Sequence, residues 1–564
     1  MQPTHPHPTS PVAYFSMEIG FDARYPTYSG GLGVLSGDTI KAAADLRVPL
    51  VAVSLLHEHG FFKQVLDTNG TQREEPEEWK PAEAFVAVDA RVHVAIEGRR
   101  VAVRTWRADI KGVYGYVVPV YFLDTNLPEN SDADRLLTSR LYGGDSDYRL
   151  KQELILGVGG VRMLEALGIT PCKFHMNEGH SAFLVLELLA QTRAATASYD
   201  SDYVRSRCVF TTHTPVAAGH DVFTREQLTR AWADAPLDAP NVLTEHGAVD
   251  MTHLALSHAE YVNGVAKKHG EVSRQLFPGY CIDSITNGIH TGTWVGPDMQ
   301  ATFDKHVPGW KADYSMLRYA LGISSAEVRE AHTAAKKRLF MHINMTTGVT
   351  LDPNVFTIGF ARRATAYKRA DLLLRDLPRL RALGERSGGL QIVYAGKAHP
   401  KDTEGKHIIE RIVAASKELG PHVTLLYLPN YGMSLAGLLV SGVDVWLNTP
   451  LPPYEASGTS GMKAAANGVP SLSVLDGWWI EGCLEGITGW SFGAPPGSEL
   501  RAAEERDAAD ARALMEKLEQ TILPLYRENP EGWALVMRNA IAINGSFFNT
   551  HRMVQEYVLR AYFQ

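Results

Sequence analysis

Cysteine is scarce in this sequence: Cys172, Cys208, Cys281 and Cys483 are the four among 564 residues. They lie far apart and form no CxxC pair, so neither a disulfide framework nor a zinc site organises the chain, and no metal is expected. Positive charge is not in excess. The formal net charge is −8, which leaves nothing to recruit nucleic acid through bulk electrostatics. No stretch approaches the roughly 20 apolar residues that cross a bilayer, so no membrane partner is expected. The N-terminal MQPTHPHPTSP lacks the apolar run of a signal peptide and reads as a disordered tail over 1–12. Beyond that tail there is no low-complexity segment, and no repeat at solenoid period. A reducing cytoplasm fits this set of absences.

What is present is length, glycine and apolar runs. A chain of 564 residues exceeds one core, so two or three domains are expected. Hydrophobic residues are 45% and charged residues 21%, as in ordinary globular proteins, and 49 glycines suit tight strand–helix turns. PVAYFSMEI reads as a buried strand, SGGLGVLSGD as a turn, DTIKAAADL as a helix and PLVAVSLL as another strand. That is a β–loop–α–β unit of a parallel sheet. Residues 85–125 alternate instead and read as β-hairpins inserted on this first domain. From about 354 a second series begins, with VFTIGF, LQIVYAG, VTLLYL, VDVWLNT and PSLSVL as strands between helical stretches. The polar INMTTGVTLDPN marks the boundary. The expected fold is therefore α/β: two Rossmann-like doubly wound domains, 13–345 and 346–510, facing a central cleft. Residues 511–564 are helices expected to pack back across them. Such sheets bind ligands outside the carboxyl ends of their strands.

The chemistry concentrates in a few segments. Glu455-Ala456-Ser457-Gly458-Thr459-Ser460-Gly461-Met462-Lys463 follows a strand and opens a helix. Small residues at a helix N-terminus expose backbone N–H groups to an anion, and Thr459 and Ser460 add hydroxyl donors. Lys463 beside such a cradle is either a phosphate ligand, an amine that binds an aldehyde cofactor, or a solvated lysine on a capped helix. FARRATAYKR, residues 360–369, follows the first strand of the second series. Its cations are either a solvated turn or an anion site, and its place at a strand's carboxyl end favours the site.

EASGTSGMK resembles the pyridoxal-phosphate lysine motif of the α-glucan (glycogen, starch and maltodextrin) phosphorylase family, usually EASGTGNMK. FARRATAYKR is similar, without a gap, to that family's VKRIHEYKR. SGGLGVLSGD at 29–38, HMNEGHSA at 175–182, TTHTPV at 211–216, VNGVAKKH at 262–269 and TNGIH at 286–290 follow the family's order. Ser460-Gly461 stands where the family has Gly-Asn, Arg362 replaces a lysine and Glu178-Gly179 replaces Asp-Thr. The chain looks like a short, divergent branch, which bears on acceptor preference, regulation and quaternary structure more than on chemistry.

The resemblance implies a GT-B type glycosyltransferase fold and reversible phosphorolysis of terminal α-1,4 bonds to α-D-glucose 1-phosphate, with retained configuration. Pyridoxal 5′-phosphate would be held by Lys463, with Thr459, Ser460, Gly31 and Arg362 around its phosphate. Arg363 and Lys368 would hold inorganic phosphate, with Tyr367 beside them. Glu455, Ala456, Ser457, Gly458 and Asn287 would bind the sugar hydroxyls, and Gly30, Gly31 and Leu32 would bring backbone to sugar and phosphate. His213 would offer its backbone carbonyl near the anomeric centre; His180 is a further candidate, its bland alternative being a histidine that satisfies loop backbone. The implied partners are α-glucan or maltodextrin, phosphate and glucose 1-phosphate, with a second copy of the chain a candidate because the family forms dimers. Two rivals remain: a nucleotide-sugar-dependent, glycogen synthase-like glucosyltransferase, and a non-catalytic glucan-binding relative. The first commonly places a second Glu eight residues after the Glu455 position, where this chain has Lys463. A hydrolase would want a carboxylate pair flanking the bond, with Asp476 and Glu481 of DGWWIEG as candidates. That segment reads as a loop whose tryptophans pack or touch sugar.

Overall fold

A computed structural model describes residues 10–216, 219–495 and 503–563. Of the expected N-terminal tail, residues 1–9 lie outside the described residues, and Val12 already opens the first strand. The chain divides into two compact units. The first comprises Met1–Phe62, Pro76–Thr286 and Met553–Gln564; the second comprises Lys63–Glu75 and Asn287–Arg552.

In the first unit a nine-stranded sheet runs in the order Asp283–Ser284, Tyr261–Gly264, Cys208–Thr211, Lys173–Asn177, Val12–Phe15, Leu50–Leu55, Val117–Asp124, Arg99–Lys111, Val86–Ile96. The strands at its centre are short and buried on both faces, as a parallel sheet covered by helices requires, and all but Lys173–Asn177 are mainly apolar. The region expected as inserted hairpins does form antiparallel hairpins, and they extend this sheet. Val117–Asp124 pairs in parallel with Leu50–Leu55, and Arg99–Lys111 then pairs antiparallel on both of its sides. Its alternating pattern is that of an antiparallel edge, and the pattern alone does not say which sheet the edge continues.

The second unit carries a six-stranded, wholly parallel sheet. Its order is Val423–Leu428, Leu390–Ala395, Thr357–Ala361, Val445–Asn448, Ser471–Val474, Gly489–Phe492. Taken along the chain this is 3-2-1-4-5-6, the doubly wound order. The order reverses between Thr357–Ala361 and Val445–Asn448, the two strands whose following loops are FARRATAYKR and the lysine segment.

The polar stretch expected to separate domains near 345 is the capped end of a long helix, Ser325–Thr347. Ser324 caps its start by accepting from the Glu327 N–H, and Gly348 closes it at φ 74°. The helix belongs to the second unit because Asp444, at the foot of Val445–Asn448, pairs with its Lys336 at 2.6 Å and its His332 at 3.0 Å. Asp444 also accepts from the Thr357 N–H at 2.7 Å. Removing one partner from so buried a network costs about 3–5 kcal/mol. Among the described residues no helix is long and apolar enough to cross a membrane.

Candidate active site

In the second unit, the loops after Thr357–Ala361 and Val445–Asn448 leave adjacent strands at their carboxyl ends. The first loop turns through a 3-10 segment, Ala366–Lys368, and Arg369 follows at φ 45°. Arg369 anchors the turn: its guanidinium donates to the Thr449 and Pro450 carbonyls and pairs with Asp507 and Asp510. The Leu451 N–H donates to the Tyr367 carbonyl, and the Thr449 hydroxyl to that of Lys368, so one backbone bond and one side-chain bond tie the loops.

Between them sits Glu455. Its Oε2 pairs with Arg362 Nη2 at 2.5 Å and Lys368 Nζ at 2.6 Å, all three side chains nearly buried. This pairing is new relative to the sequence reading, which gives Glu455 to the sugar and the cations to phosphates. Three cations, Arg362, Arg363 and Lys368, against one carboxylate still leave the loop an excess of positive charge. Arg363 is exposed, and among the described residues nothing pairs with its guanidinium. The Lys368 ammonium also lies over the Tyr367 ring, which approaches Tyr454.

The lysine segment turns at Gly458, φ +91°, into the helix Thr459–Ala466, whose N-terminus has no side-chain cap. The open N–H groups and the Thr459 and Ser460 hydroxyls form a donor set for an anion. Ser460 Oγ accepts from Trp446 Nε1 at 3.2 Å, which leaves its own proton to donate. Lys463 is 7% exposed, and its amine stands 3.6 Å from the centre of the Trp294 ring, a cation–π geometry. Asn467, one turn on, bonds Lys463, Trp294 and Gly296 backbone and so ties the lysine's helix to the Trp294 segment. The Ser457 hydroxyl and Asn448 Oδ1 are buried with no hydrogen-bond partner among the described residues. Orphaned polar atoms of this kind call for a ligand or water. A polar cofactor with a phosphate and a carbonyl carbon fits these residues. Asn287 Oδ1 is a third such orphan, and its backbone carbonyl accepts from Arg552.

In the first unit, the candidates follow Val12–Phe15, Lys173–Asn177 and Cys208–Thr211, three neighbouring parallel strands. Gly30 precedes the helix Gly31–Asp45, which it does not cap by a side chain. The carboxylate of Glu18 accepts from the Ser29 and Gly30 N–H groups and from the Tyr142 hydroxyl, which shapes the turn. Gly31 is exposed, with open space where a Cβ would sit, and Leu32 is half-buried. His213 Nε2 lies 2.6 Å from Asn177 Oδ1, and Asn177 in turn donates to Ser16 and Ser36. An acceptor there makes Nε2 the protonated nitrogen. Burial, reinforced by His269, His175 and His180, pushes His213 down to about 3, so the ring is neutral. Glu178, at φ 74°, accepts from the His213 N–H and the Thr214 hydroxyl. His180 lies 3.8 Å from Asp221 and is pushed down to about 4, first by burial and then by Arg149. Glu153, His180 and Asp221 converge within 4.8 Å, and Arg149 pairs with both carboxylates.

Two features were missed in the sequence. Asp476 accepts from the Glu455 N–H at 2.9 Å and from the Gly477 N–H, and the Trp478 N–H donates to the Ser457 carbonyl. A Cβ on Gly477, φ +53°, would collide with that carbonyl, so only glycine lets the two turns meet. The DGWWIEG segment is thus a clamp on the Glu455–Gly458 turn. It forms a short helix, Trp479–Gly482, and both tryptophans are buried, with Trp478 packed on Trp479 and Phe548. The second missed feature is a hairpin over residues 63–75.

The clamp titrates in opposition to the residue it holds. Burial works to raise the Glu455 carboxyl, but Arg362 and Lys368 outweigh it and hold the group at about 2. Its stabilisation, about 3 kcal/mol, is present above the unfolded carboxylate range and is lost as pH falls through about 2. Burial pushes Asp476 up to about 7, and the Glu455 charge adds to this against the two N–H bonds. The folded state therefore holds that proton more tightly than the unfolded chain, and stability falls as pH rises from about 4 to 7. Asp476→Asn is expected to flatten the dependence of urea-unfolding free energy on pH between 5 and 7; an unchanged slope contradicts this assignment.

Residues 221–485 match the family model described as carbohydrate phosphorylase. Over 99% of its length the chain is 39% identical to a maltodextrin phosphorylase of Thermococcus litoralis, covering 71% of that protein. It is 36% identical to a glycogen phosphorylase of Mycobacterium tuberculosis, over 98% of the chain and 70% of the relative. A glycogen phosphorylase of Aquifex aeolicus is 34% identical, over 98% of the chain and 86% of the relative. With this sequence order, this pair of Rossmann-like sheets and these relatives, the chain belongs to the carbohydrate phosphorylase family.

Proposed function

We propose that this chain is an α-glucan phosphorylase, a pyridoxal-phosphate-dependent glycosyltransferase. It cleaves terminal α-1,4 bonds of glycogen or maltodextrin with inorganic phosphate, reversibly, to α-D-glucose 1-phosphate. One observation carries the reading: the basic loop and the lysine helix leave adjacent strands at the reversal of the sheet, and Glu455 bridges them through Arg362 and Lys368. Such a junction supports a site that takes an anion and a sugar side by side.

Lys463 would hold the cofactor, with Thr459, Ser460 and Arg362 donating to its phosphate. When bound, the cofactor supplies a phosphate group able to exchange a proton with the substrate phosphate. Arg363 offers inorganic phosphate a bidentate fork and Lys368 a point charge. Glucosyl transfer passes through an oxocarbenium-like state, so an anion held against the ring stabilises the developing charge. Glu455 accepts from sugar hydroxyls, and the turn Ala456-Ser457-Gly458 offers backbone N–H groups and the orphaned Ser457 hydroxyl. Asn287 Oδ1, also orphaned, is an acceptor for a hydroxyl. On the first unit, the Gly30-Gly31-Leu32 turn offers N–H groups and His213 a carbonyl held by the bonds of its neutral ring. His180 is assigned a supporting place beside Asp221. A cytoplasmic setting, and assembly with a second copy, belong to the same proposal.

The test is direct. Purified protein with maltodextrin and inorganic phosphate is expected to release glucose 1-phosphate, while a nucleotide sugar without phosphate extends no glucan. Glucan extension from the nucleotide sugar with no phosphorolysis would instead establish the synthase-like rival.

A further inference from the structure

Residues 63–75 fold as a hairpin, Lys63–Leu66 against Gln72–Glu75, and belong to the second unit although the chain around them belongs to the first. Asp67 accepts from the Asn69 and Thr71 N–H groups to form the tip, with Gly70 at φ +84°. What the hairpin buries is polar. Gln64 is 2% exposed and Gln72 4%. Two buried primary amides are costly unless satisfied, and here both are.

Gln64 Nε2 donates to Gln72 Oε1 at 2.8 Å and to the Gly396 carbonyl at 2.8 Å. Gln72 Nε2 donates to the Ala398 carbonyl at 2.9 Å, and Gln72 Oε1 accepts from the Ala398 N–H at 3.0 Å. Gln64 Oε1 accepts from the Asn430 N–H at 2.9 Å, while Asn430 Oδ1 accepts from the Gln64 N–H. A salt bridge from Lys406 to Glu74, 2.8 Å, closes the hairpin's side. The bonded residues 396–398 and 430 lie in the loops after Leu390–Ala395 and Val423–Leu428.

The first of these loops is the scaffold of the basic loop. The Arg362 N–H donates to the Ala395 carbonyl at 3.2 Å and the Ala364 N–H to the Lys397 carbonyl at 3.0 Å, with Ala364 bridged to Ala398. Gly396 packs so closely that a Cβ there would collide with the Arg362 carbonyl oxygen. From hairpin to 396–398 to 362–364 the contacts are all backbone or fully bonded amide, with no flexible link.

We infer that Gln64 and Gln72 are positioning residues that set the height of the Arg362–Arg363 backbone and thereby tune phosphate binding. The inference rests on the phosphorolytic reading for its substrate and on the bonds above for its geometry. Gln72→Met and Gln64→Met keep side-chain length and lose the amide bonds. Each is expected to raise KM for inorganic phosphate roughly tenfold or more, as misplaced binding groups do, with KM for maltodextrin little changed. Gln72→Glu, which sets a carboxylate oxygen against the Ala398 carbonyl and the Glu74 carboxylate that the amide now donates to, is expected to raise the phosphate KM at least as far.

Leu380→Ala, a core truncation elsewhere in the same unit, controls for simple destabilisation. Hydrogen–deuterium exchange of the peptide covering 362–368 is measured on the same proteins and is expected to quicken in the glutamine variants alone. Unchanged phosphate KM in the methionine variants, or an equal rise in Leu380→Ala, overturns the inference. If the wild type shows no phosphorolysis, that reading falls, and the exchange rates decide the brace by themselves: unchanged rates overturn it.

Discussion

Lys463→Ala is expected to lose phosphate-dependent glucose 1-phosphate release by at least about 10³-fold, the scale on which removal of a member of an interdependent catalytic set is felt. The purified variant is expected to lack the pyridoxal absorption band of the wild type. Lys463 sits on the uncapped helix Thr459–Ala466, beside two hydroxyls and against the face of Trp294. A lysine that served only as a solvated helix residue would have no reason to be 7% exposed. Because the side chain is buried, the variant's folding must be read separately, by its thermal midpoint. A variant that folds, lacks added cofactor and keeps full activity would sink the mechanism.

The second large effect concerns Glu455. Glu455→Ala leaves Arg362 and Lys368 nearly buried with no counter-charge, which costs about 3–5 kcal/mol. For a unit of this size that lowers the melting midpoint by about 10 °C. Inorganic phosphate is expected to restore part of the loss, since an anion replaces the missing carboxylate, and to stabilise the variant more than it does the wild type. Activity on glucan is expected to remain low under the same conditions, because the sugar hydroxyls have lost their acceptor. Equal phosphate stabilisation in both proteins would show that Lys368 does not face the phosphate site.

Much of this was legible in the sequence, for identifiable reasons. VFTIGF, LQIVYAG and VDVWLNT are mostly apolar because parallel strands are covered on both faces, and their few polar residues, such as Gln391 and Asp444, are buried with bonded partners. The basic loop and the lysine segment could be placed at strand ends from order alone. What could not be read depends on partners distant in sequence. Asp476 binds Glu455 across 21 positions, and Gln72 binds Ala398 across 326. An aspartate before a glycine looks like any turn. Asn69-Gly70 between short strands is a hairpin signal by itself, but nothing local says which sheet the hairpin joins. The boundary expected near 345 shows the converse: a polar stretch ended a helix, and the ion pairs of Asp444 decided which unit owned it.

That hairpin has a consequence for how the polypeptide is made. Residues 63–75 leave the ribosome long before Thr357, the start of the sheet whose loops they bond, so their two glutamines must stay hydrated while some 280 intervening residues are synthesised. The first unit is in the same position, since it is completed by Met553–Gln564, translated after the entire second unit. Neither can therefore mature as an independent cotranslational domain. Excising residues 287–552 as an expression fragment would yield a sheet whose basic loop has lost its brace, and grafting that fragment onto a related scaffold would transplant the cations without the part that aims them.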